Sequence, residues 1–338
     1  MPTAAVTAPF ADSPEISAAV AAVREAALLA RTVQRELVTP ALTKDDRSPV
    51  TVGDFAVQAV VARRLAEQLP GAELIGEESA DALRLEEGID TLEQLTQFVR
   101  RAIPDATPEE VCGLVDRGSG DPPDEFWTLD PIDGTKGFLR RDQYAVALGK
   151  IENGQVTIGV LGCPELAEGR ASAPGGAGSL LLAIRGGGTY WQPLESASSE
   201  WKQLHVSDRA DVAAARILRS VEKAHTNVDE IGRLAEHLGI TALPVPLDSQ
   251  AKYAVLAAGA GDVLLRLMSP KAPNYKEKIW DQAAGSLVIT EAGGRITDLD
   301  GQPLDFSHGR QLETNRGILA TNGPLHDILL AGLRAIGA

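Results

Sequence analysis

The stretch WTLDPIDGTKGFLR, residues 127–140, constrains the fold more than any other part of the chain. Its apolar lead-in reads as a buried strand, yet it runs straight into Asp130, Pro131, Ile132, Asp133 and Gly134. Proline fixes its own φ, lacks a backbone donor and holds the residue before it in extended geometry. The strand is therefore predicted to end extended at Asp130, with the Ile132 carbonyl free to turn inward. Gly134 permits a tight turn, and Thr135 opens a helix whose free N–H groups and positive dipole end would aim at an anion. Magnesium takes an octahedron of oxygens, keeps several waters and usually meets protein through a few carboxylates plus a substrate phosphate. Asp130 and Asp133 suit that demand. Two aspartates beside a glycine equally suit an Asx turn at a strand end, and this stretch alone does not decide between the two.

A chain of 338 residues exceeds one small core, so one large or two closely joined domains are expected. Its net charge of −15 argues against coating nucleic acid or an anionic membrane by counterion release. A small phosphate ester needs only a local cationic pocket or bound cations, and is not excluded. Cys112 and Cys163 lack metal or redox spacing and read as packing residues in a reducing compartment. The first twenty residues hold no basic stretch followed by an apolar core, and no apolar run approaches a membrane span, so the cytoplasm is the expected location.

Ser13-Pro14-Glu15 reads as a helix start, with the helix reaching about Val38. Val57, Val61, Leu65 and Leu69 predict a second helix closed by Pro70-Gly71, with Asp54 at its start. Residues 73–76 read as a short strand ending in Glu77 and Glu78. The polar stretch 80–125 is expected to be an inserted lid or flank, with a helix through Leu92, Leu95, Phe98 and Val99 and a capping box at 107–110. Asn153-Gly154 marks a hairpin, and strands follow at 179–184 and 188–192. From about Val206 strands and helices alternate, and WDQAAGSLVITEAGG reads as a helix with Asp281 at its start. A boundary near 205 is expected, dividing 1–205 from 206–338, with the site where the halves meet. The arginine pairs at 63–64, 100–101 and 140–141 are expected on solvated helix faces, although Lys136 and Arg140 follow the turn closely enough to attract anions. Lys278 and Arg310 receive no role. The glycine-rich segments at 175–178 and 186–188 lack the pattern of a P-loop, which argues against a nucleoside triphosphatase.

The joint pattern is more informative than its parts. GEES at 76–79, DPIDGT at 130–135 and WDQAAG at 280–285 resemble, in order, the metal motifs of the inositol monophosphatase superfamily, the magnesium-dependent, lithium-sensitive phosphatases. KDDRSPVTVGD, DPIDGTKGFLR, DSQAKYAVLAAGAGDVLLRL and YKEKIWDQAAG resemble its 3′(2′),5′-bisphosphate nucleotidase branch, and the likeness runs from about Ile16 to the C-terminus. The resemblance implies an α/β fold, a layered α/β/α/β sandwich of the inositol monophosphatase and fructose-1,6-bisphosphatase type. Its N-terminal half would hold a large antiparallel sheet and most metal ligands, and its smaller α/β half would carry Asp281 and the nucleotide pocket.

The same resemblance implies that Glu77, Asp130 and the Ile132 carbonyl hold one magnesium and that Asp130, Asp133 and Asp281 hold a second, two or three ions in all. Asp54 and Thr135 would order and activate the attacking water, Asp54 as base or through a third metal. Gly134, Thr135, His225, Ser249, Lys252, Arg266 and Asp281 would face the substrate, with Lys252 and Arg266 supplying charge for a 5′-phosphate. The reaction implied is hydrolysis of the 3′-phosphate of 3′-phosphoadenosine 5′-phosphate to AMP and phosphate; the sulfated analogue stays open as a second substrate. No nucleic acid, membrane or obligate protein partner is implied. By residue type alone, Ser249 equally suits a helix cap and His225 a surface position. Arg266, flanked by leucines, is harder to place idly because an unpaired buried guanidinium is costly. An inositol polyphosphate 1-phosphatase would share the metal carboxylates and differ in the far pocket, and a nucleotide sensor would bind without cleaving; both remain alternatives.

Overall fold

The computed structural model describes residues 5–7, 13–38, 48–196, 200–220, 228–269 and 271–338. The strands up to Leu204 are β1 (Ala5–Thr7), β2 (Leu74–Gly76), β3 (Glu125–Asp133), β4 (Ala145–Glu152), β5 (Gln155–Cys163), β6 (Leu166–Ala167), β7 (Ala171–Ser172), β8 (Ser179–Ile184), β9 (Gly188–Pro193) and β10 (Glu200–Leu204). All but β6 and β7, which pair with each other, join one eight-stranded sheet in the order β1-β10-β9-β8-β5-β4-β3-β2. Neighbours are antiparallel except β2 and β3. The β4–β5 reversal falls at Asn153 and Gly154, whose φ values of 50° and 74° are what a two-residue hairpin turn requires.

Two long helices cover one face of this sheet: α1 (Pro14–Leu37), capped by the Ser13 hydroxyl accepting from the Ile16 N–H, and α2 (Ser48–Gln68). The buried face of α1 is rich in alanine, which allows close approach: a Cβ on Gly162 would stand 2.8 Å from that of Ala27. The polar 80–125 stretch forms α3 (Ile89–Val99) and α4 (Pro108–Asp116), the latter with the predicted capping box of Thr107 and Glu110. Leu95, Phe98, Val99, Val111 and Val115 share the core of α1 and α2, so this stretch is a flank packed on α2 and not a lid.

After the short α5 (Thr135–Leu139), the remaining helices are α6 (Val228–Leu238), α7 (Ala251–Ala257), α8 (Ala283–Glu291) and α9 (His326–Ile336). They surround a five-stranded sheet of β11 (Ile217–Arg219), β12 (Val245–Pro246), β13 (Val263–Arg266), β14 (Arg295–Thr297) and β15 (Ile318–Thr321), in the order β12-β11-β13-β15-β14. Helices α7 and α8 fill the space between the sheets: Ala254, Leu256, Leu287 and Val288 share one core with Ala147 and Leu161 of the first sheet and Leu264 and Ala320 of the second. The layers are thus α/β/α/β as predicted, and α6 and α9 add a fifth, because Leu265 and Leu319 on the outer face of the second sheet need apolar cover from Leu234 and Leu329.

Three local expectations change. Helix α2 begins at Ser48, since Pro49 is tolerated in a first turn, so Asp54 lies in the second turn and not at the start. Asp281 sits in the turn before α8, which begins at Ala283. Strand β3 does not stop at Asp130. Asp130 pairs with Ala147 and Asp133 with Ala145, three steps against two, so the donorless Pro131 sits in a bulge.

The placement of α8 depends on missing side chains. Gly149 and Gly159 are cross-strand partners in β4 and β5. A Cβ at Gly149 would lie 3.0 Å from that of Ala283, and one at Gly159 would lie 2.9 Å from the Ala284 carbonyl oxygen. The first turn of α8 therefore rests on bare backbone, which brings the preceding Asp281 down to the sheet. Gly159→Val should destabilise the fold by about 1–3 kcal/mol through overpacking, read as a lower urea midpoint; an unchanged midpoint would show that this approach is not close enough to matter.

Candidate active site

A cavity of about 450 Å³ opens where the ends of β2 and β3 meet α5, α7, β13 and the turn before α8. Its lining includes Glu77, Asp130, Ile132, Asp133, Gly134 and Thr135 on one side and Ser249, Lys252, Arg266 and Asp281 on the other. The parallel pairing of β2 with β3 matches Gly76 with Leu129, so Glu77, the first residue past β2, comes beside Asp130, which is still in β3. The bulge then turns β3 so that Asp133 faces the same space. Gly134 takes φ +95°, and a Cβ there would lie 2.7 Å from that of Ser249.

Ser249 itself adopts φ +64° and is buried, a strained conformation for a residue with a side chain. Its hydroxyl accepts from the Ala251 N–H at 3.1 Å, a local turn ahead of α7, whose N-cap is Gln250 and not Ser249. The next residue joins both sides of the cavity. The Gln250 N–H donates to Asp133 Oδ2 at 2.5 Å, its Nε2 donates to the Trp280 carbonyl at 3.0 Å, and its Oε1 accepts from the Gly285 N–H at 3.2 Å.

Like charges gathered away from water hold their protons. Asp130 is 3 % exposed, and its carboxyl is pushed well above the usual range by burial and then by Glu77, Asp133, Asp281 and Asp54. Glu77 is open to the cavity but enclosed by protein around it; that enclosure and then Asp281, Glu78 and Asp133 push it up to about 8, against a pull from Lys278. Burial raises Asp281 to about 7, with Arg266 opposing, Asp133 and Glu277 adding, and a hydrogen bond to Asp130 opposing. Asp54 is raised well above its usual range by burial and by Glu78 and Glu77.

The cations face these groups. Arg266 pairs with Glu277 at 2.8 Å and lies 3.7 Å from Asp281. Lys252 is 8 % exposed, donates to the Ser220 hydroxyl at 2.9 Å, and is lowered to about 8 chiefly by burial. Asp130 Oδ1 is buried without a hydrogen-bond partner. Among the described residues no three acidic, histidine or cysteine side chains form a ready-made coordination shell. An all-oxygen donor set with one orphaned buried oxygen nonetheless has the chemistry that a hard divalent cation requires.

Of the other predicted residues, Asp54 does not line this cavity; it is buried in α2, within electrostatic reach of Glu77, Glu78 and Asp130. His225 lies outside the described residues. The arginine pairs are exposed as expected except Arg64, which is half-buried, but several also hold partners: Arg140 pairs with the buried Asp248, Arg64 with Glu25 at 2.6 Å, and the Arg141 guanidinium donates to the Val38 carbonyl. Sequence reasoning missed Ser220, Asp248 and Tyr275 on the cavity wall, and Gln250 and Glu277 behind it. Only Glu277 had a signal, since Arg266 in an apolar strand demanded an anion.

Because Glu77 and Asp281 bind protons more tightly in the folded than in the unfolded chain, the ion-free fold loses stability as pH rises from the ordinary carboxylate range to about 8. His326, held down to about 4 mainly by burial, gives the opposite trend below the ordinary histidine range, so the comparison belongs above pH 6.5. In chelator, the urea midpoint should be lower at pH 8.5 than at pH 6.5, with magnesium closing the gap. A midpoint that rises over this interval would contradict the carboxylate cluster.

The chain matches the Inositol monophosphatase family over residues 12–337. It is 39% identical to the 3′(2′),5′-bisphosphate nucleotidase of Emericella nidulans, with 93% of this chain and 96% of that protein covered. It is 40% identical to the protein of the same name from Oryza sativa, with 95% and 93% covered. Among solved structures, the fold is similar to Thermotoga maritima IMPase, with a TM-score of 0.63 at 19% identity and 96% and 98% of the two chains covered. It is also similar to CysQ from Bacteroides thetaiotaomicron, with a TM-score of 0.61 at 18% identity and 92% and 98% covered. With a match over nearly its whole length and relatives near 40% identity, the chain belongs to the inositol monophosphatase family.

Proposed function

We propose that this protein is a 3′(2′),5′-bisphosphate nucleotidase that removes the 3′-phosphate of 3′-phosphoadenosine 5′-phosphate, leaving AMP and phosphate. The family is metal-dependent, generally on magnesium. The observation that carries the reading is one cavity that brings Glu77, Asp130, Asp133 and Asp281 together with Lys252 and Arg266, suited to an ester bearing two separate phosphates. The names of the relatives support the nucleotide over an inositol phosphate. Glu77, Asp130, the Ile132 carbonyl, Asp133 and Asp281 would hold two magnesium ions, with Asp54 beside a third, and when bound these would neutralise the phosphate and stabilise attacking and leaving oxygens of an in-line displacement.

The chain's own groups do the rest. On the resemblance, the Thr135 hydroxyl orients the attacking water, and Asp54, buried in α2 behind the cavity, helps activate it as base or through a third metal. Gly134 lets Ser249 pack against bare backbone at the cavity wall. Lys252 and Arg266 take the second phosphate, Ser249 adds a polar contact, and His225 belongs with them on the resemblance alone. No side chain becomes phosphorylated. The site residues come from both sides of residue 205, consistent with a 1–205 half and a 206–338 half meeting at the substrate.

Phosphate release with magnesium from 3′-phosphoadenosine 5′-phosphate, inositol 1,4-bisphosphate and inositol monophosphate tests the reading. Turnover should be fastest on the nucleotide. Faster turnover of an inositol phosphate would overturn the substrate, and tight nucleotide binding without turnover would make the protein a sensor. Lys252→Ala should raise KM for the nucleotide by about tenfold or more, the worth of a charge-assisted hydrogen bond, and leave hydrolysis of a simple monophosphate little changed. Equal loss on both substrates would show that Lys252 does not read the second phosphate.

A further inference from the structure

Arg310 does not line the cavity, yet it touches the carriers of two of its carboxylates. Its guanidinium donates to the carbonyls of Gly118 at 3.1 Å and Gly120 at 3.0 Å, and to that of Gly76, the residue before Glu77. The same group lies 4.9 Å from the ring centre of Trp280, the residue before Asp281. Its own backbone carbonyl accepts from the Ile279 N–H at 3.2 Å. We propose that Arg310 is a positioning residue that fixes the spacing between Glu77 and Asp281 and so sets the affinity of the site for a divalent cation. The inference rests on the reading that these two carboxylates hold that cation.

Three features support a clamp over a passive surface contact. Glu77 is gripped on both sides: Arg310 holds the peptide before it, while the buried Gln58 amide donates to the Glu78 carbonyl at 2.8 Å and accepts from the Glu78 N–H at 3.1 Å. The strand end has no slack, since a Cβ at Gly76 would fall 2.4 Å from the Gln58 amide oxygen and one at Gly118 would fall 2.9 Å from the Gly76 nitrogen. On the other side, Trp280 is buried and its carbonyl is held by Gln250, so a ring fixed by the guanidinium face fixes the start of the Asp281 turn. A planar fork with five donors and a stacking face can satisfy several carbonyls and a ring at once, which an ammonium group cannot. Magnesium demands near-ideal octahedral geometry, so small errors in carboxylate spacing weaken it.

The test measures magnesium binding to the substrate-free protein by titration calorimetry, alongside the magnesium dependence of turnover, in Arg310→Met and Arg310→Lys. Magnesium affinity should fall by about tenfold in Arg310→Met, the lower end for loss of an outer supporting contact, and by less in Arg310→Lys. At saturating magnesium, KM for the nucleotide should stay within about twofold of the unaltered protein. If Arg310→Met fails to fold, Trp280→Leu replaces it, since it removes the stacking and keeps the carbonyl bonds. Unchanged magnesium affinity in the variants, or a KM that rises in step with the loss of affinity, overturns the proposal. An unaltered protein that binds no magnesium overturns the metal reading and this inference together, whereas binding that the variants retain in full overturns this inference alone.

Discussion

Carboxylates repel, and a fold that gathers Glu77, Asp130, Asp133 and Asp281 around one cavity must hold them there against that repulsion. Two like charges about 4 Å apart near a protein surface oppose each other by about 4 kcal/mol, a large share of a net stability of about 5–15 kcal/mol. Without a cation the first response is chemical: the carboxyls keep protons that they would lose in water. The second is mechanical. Gln250 pins Asp133 and the Trp280 turn, Gln58 pins Glu78, and each does so through backbone groups that cannot swing away. A site built to receive positive charge is in this sense held under load.

That load explains where the fold is least forgiving. The acidic residues sit at strand ends and turns, but the elements behind them pack through alanine and glycine, with Gly149 and Gly159 admitting α8 onto the sheet and Gly162 admitting α1 on the other side. Small residues allow backbones to approach closely and leave few rotamers to move, so the turn carrying Asp281 is placed by backbone contact. The left-handed conformation of Ser249, pressed against Gly134, belongs to the same economy of space.

Elements with a local cause were legible in the sequence. The Thr107–Glu110 capping box, the Asn153-Gly154 reversal and the Ser13 cap each follow from side chains a few residues apart, and each is present. Features that depend on a distant partner were not. Pro131 announced an irregularity, but whether β3 stops or bulges depends on β4, which resumes pairing at Ala145. Arg140 is exposed as expected, but its pairing was not legible because its partner, Asp248, lies 108 residues further on. Gln250 was invisible for a different reason: one of its contacts uses a backbone N–H, which every residue but proline carries. The carboxylates could be named through resemblance, whereas the groups that hold them in register needed coordinates.

The cationic and acidic groups of the cavity are also not independent. Arg266 lies between Glu277 and Asp281, and its charge lowers the proton affinity of Asp281 while Asp281 in turn helps keep the guanidinium protonated. On the proposed reading, the residue that reads the second phosphate is thus electrostatically tied to a residue that helps carry out the reaction at the first. A phosphate arriving at Arg266 would share its positive charge, weaken its pull on Asp281 and leave that carboxylate more available to a cation. Recognition of a second anionic group and readiness of the reacting centre then become one balance around a single guanidinium. Reciprocity follows, because a cation that draws Asp281 away frees Arg266 for the anion by the same amount.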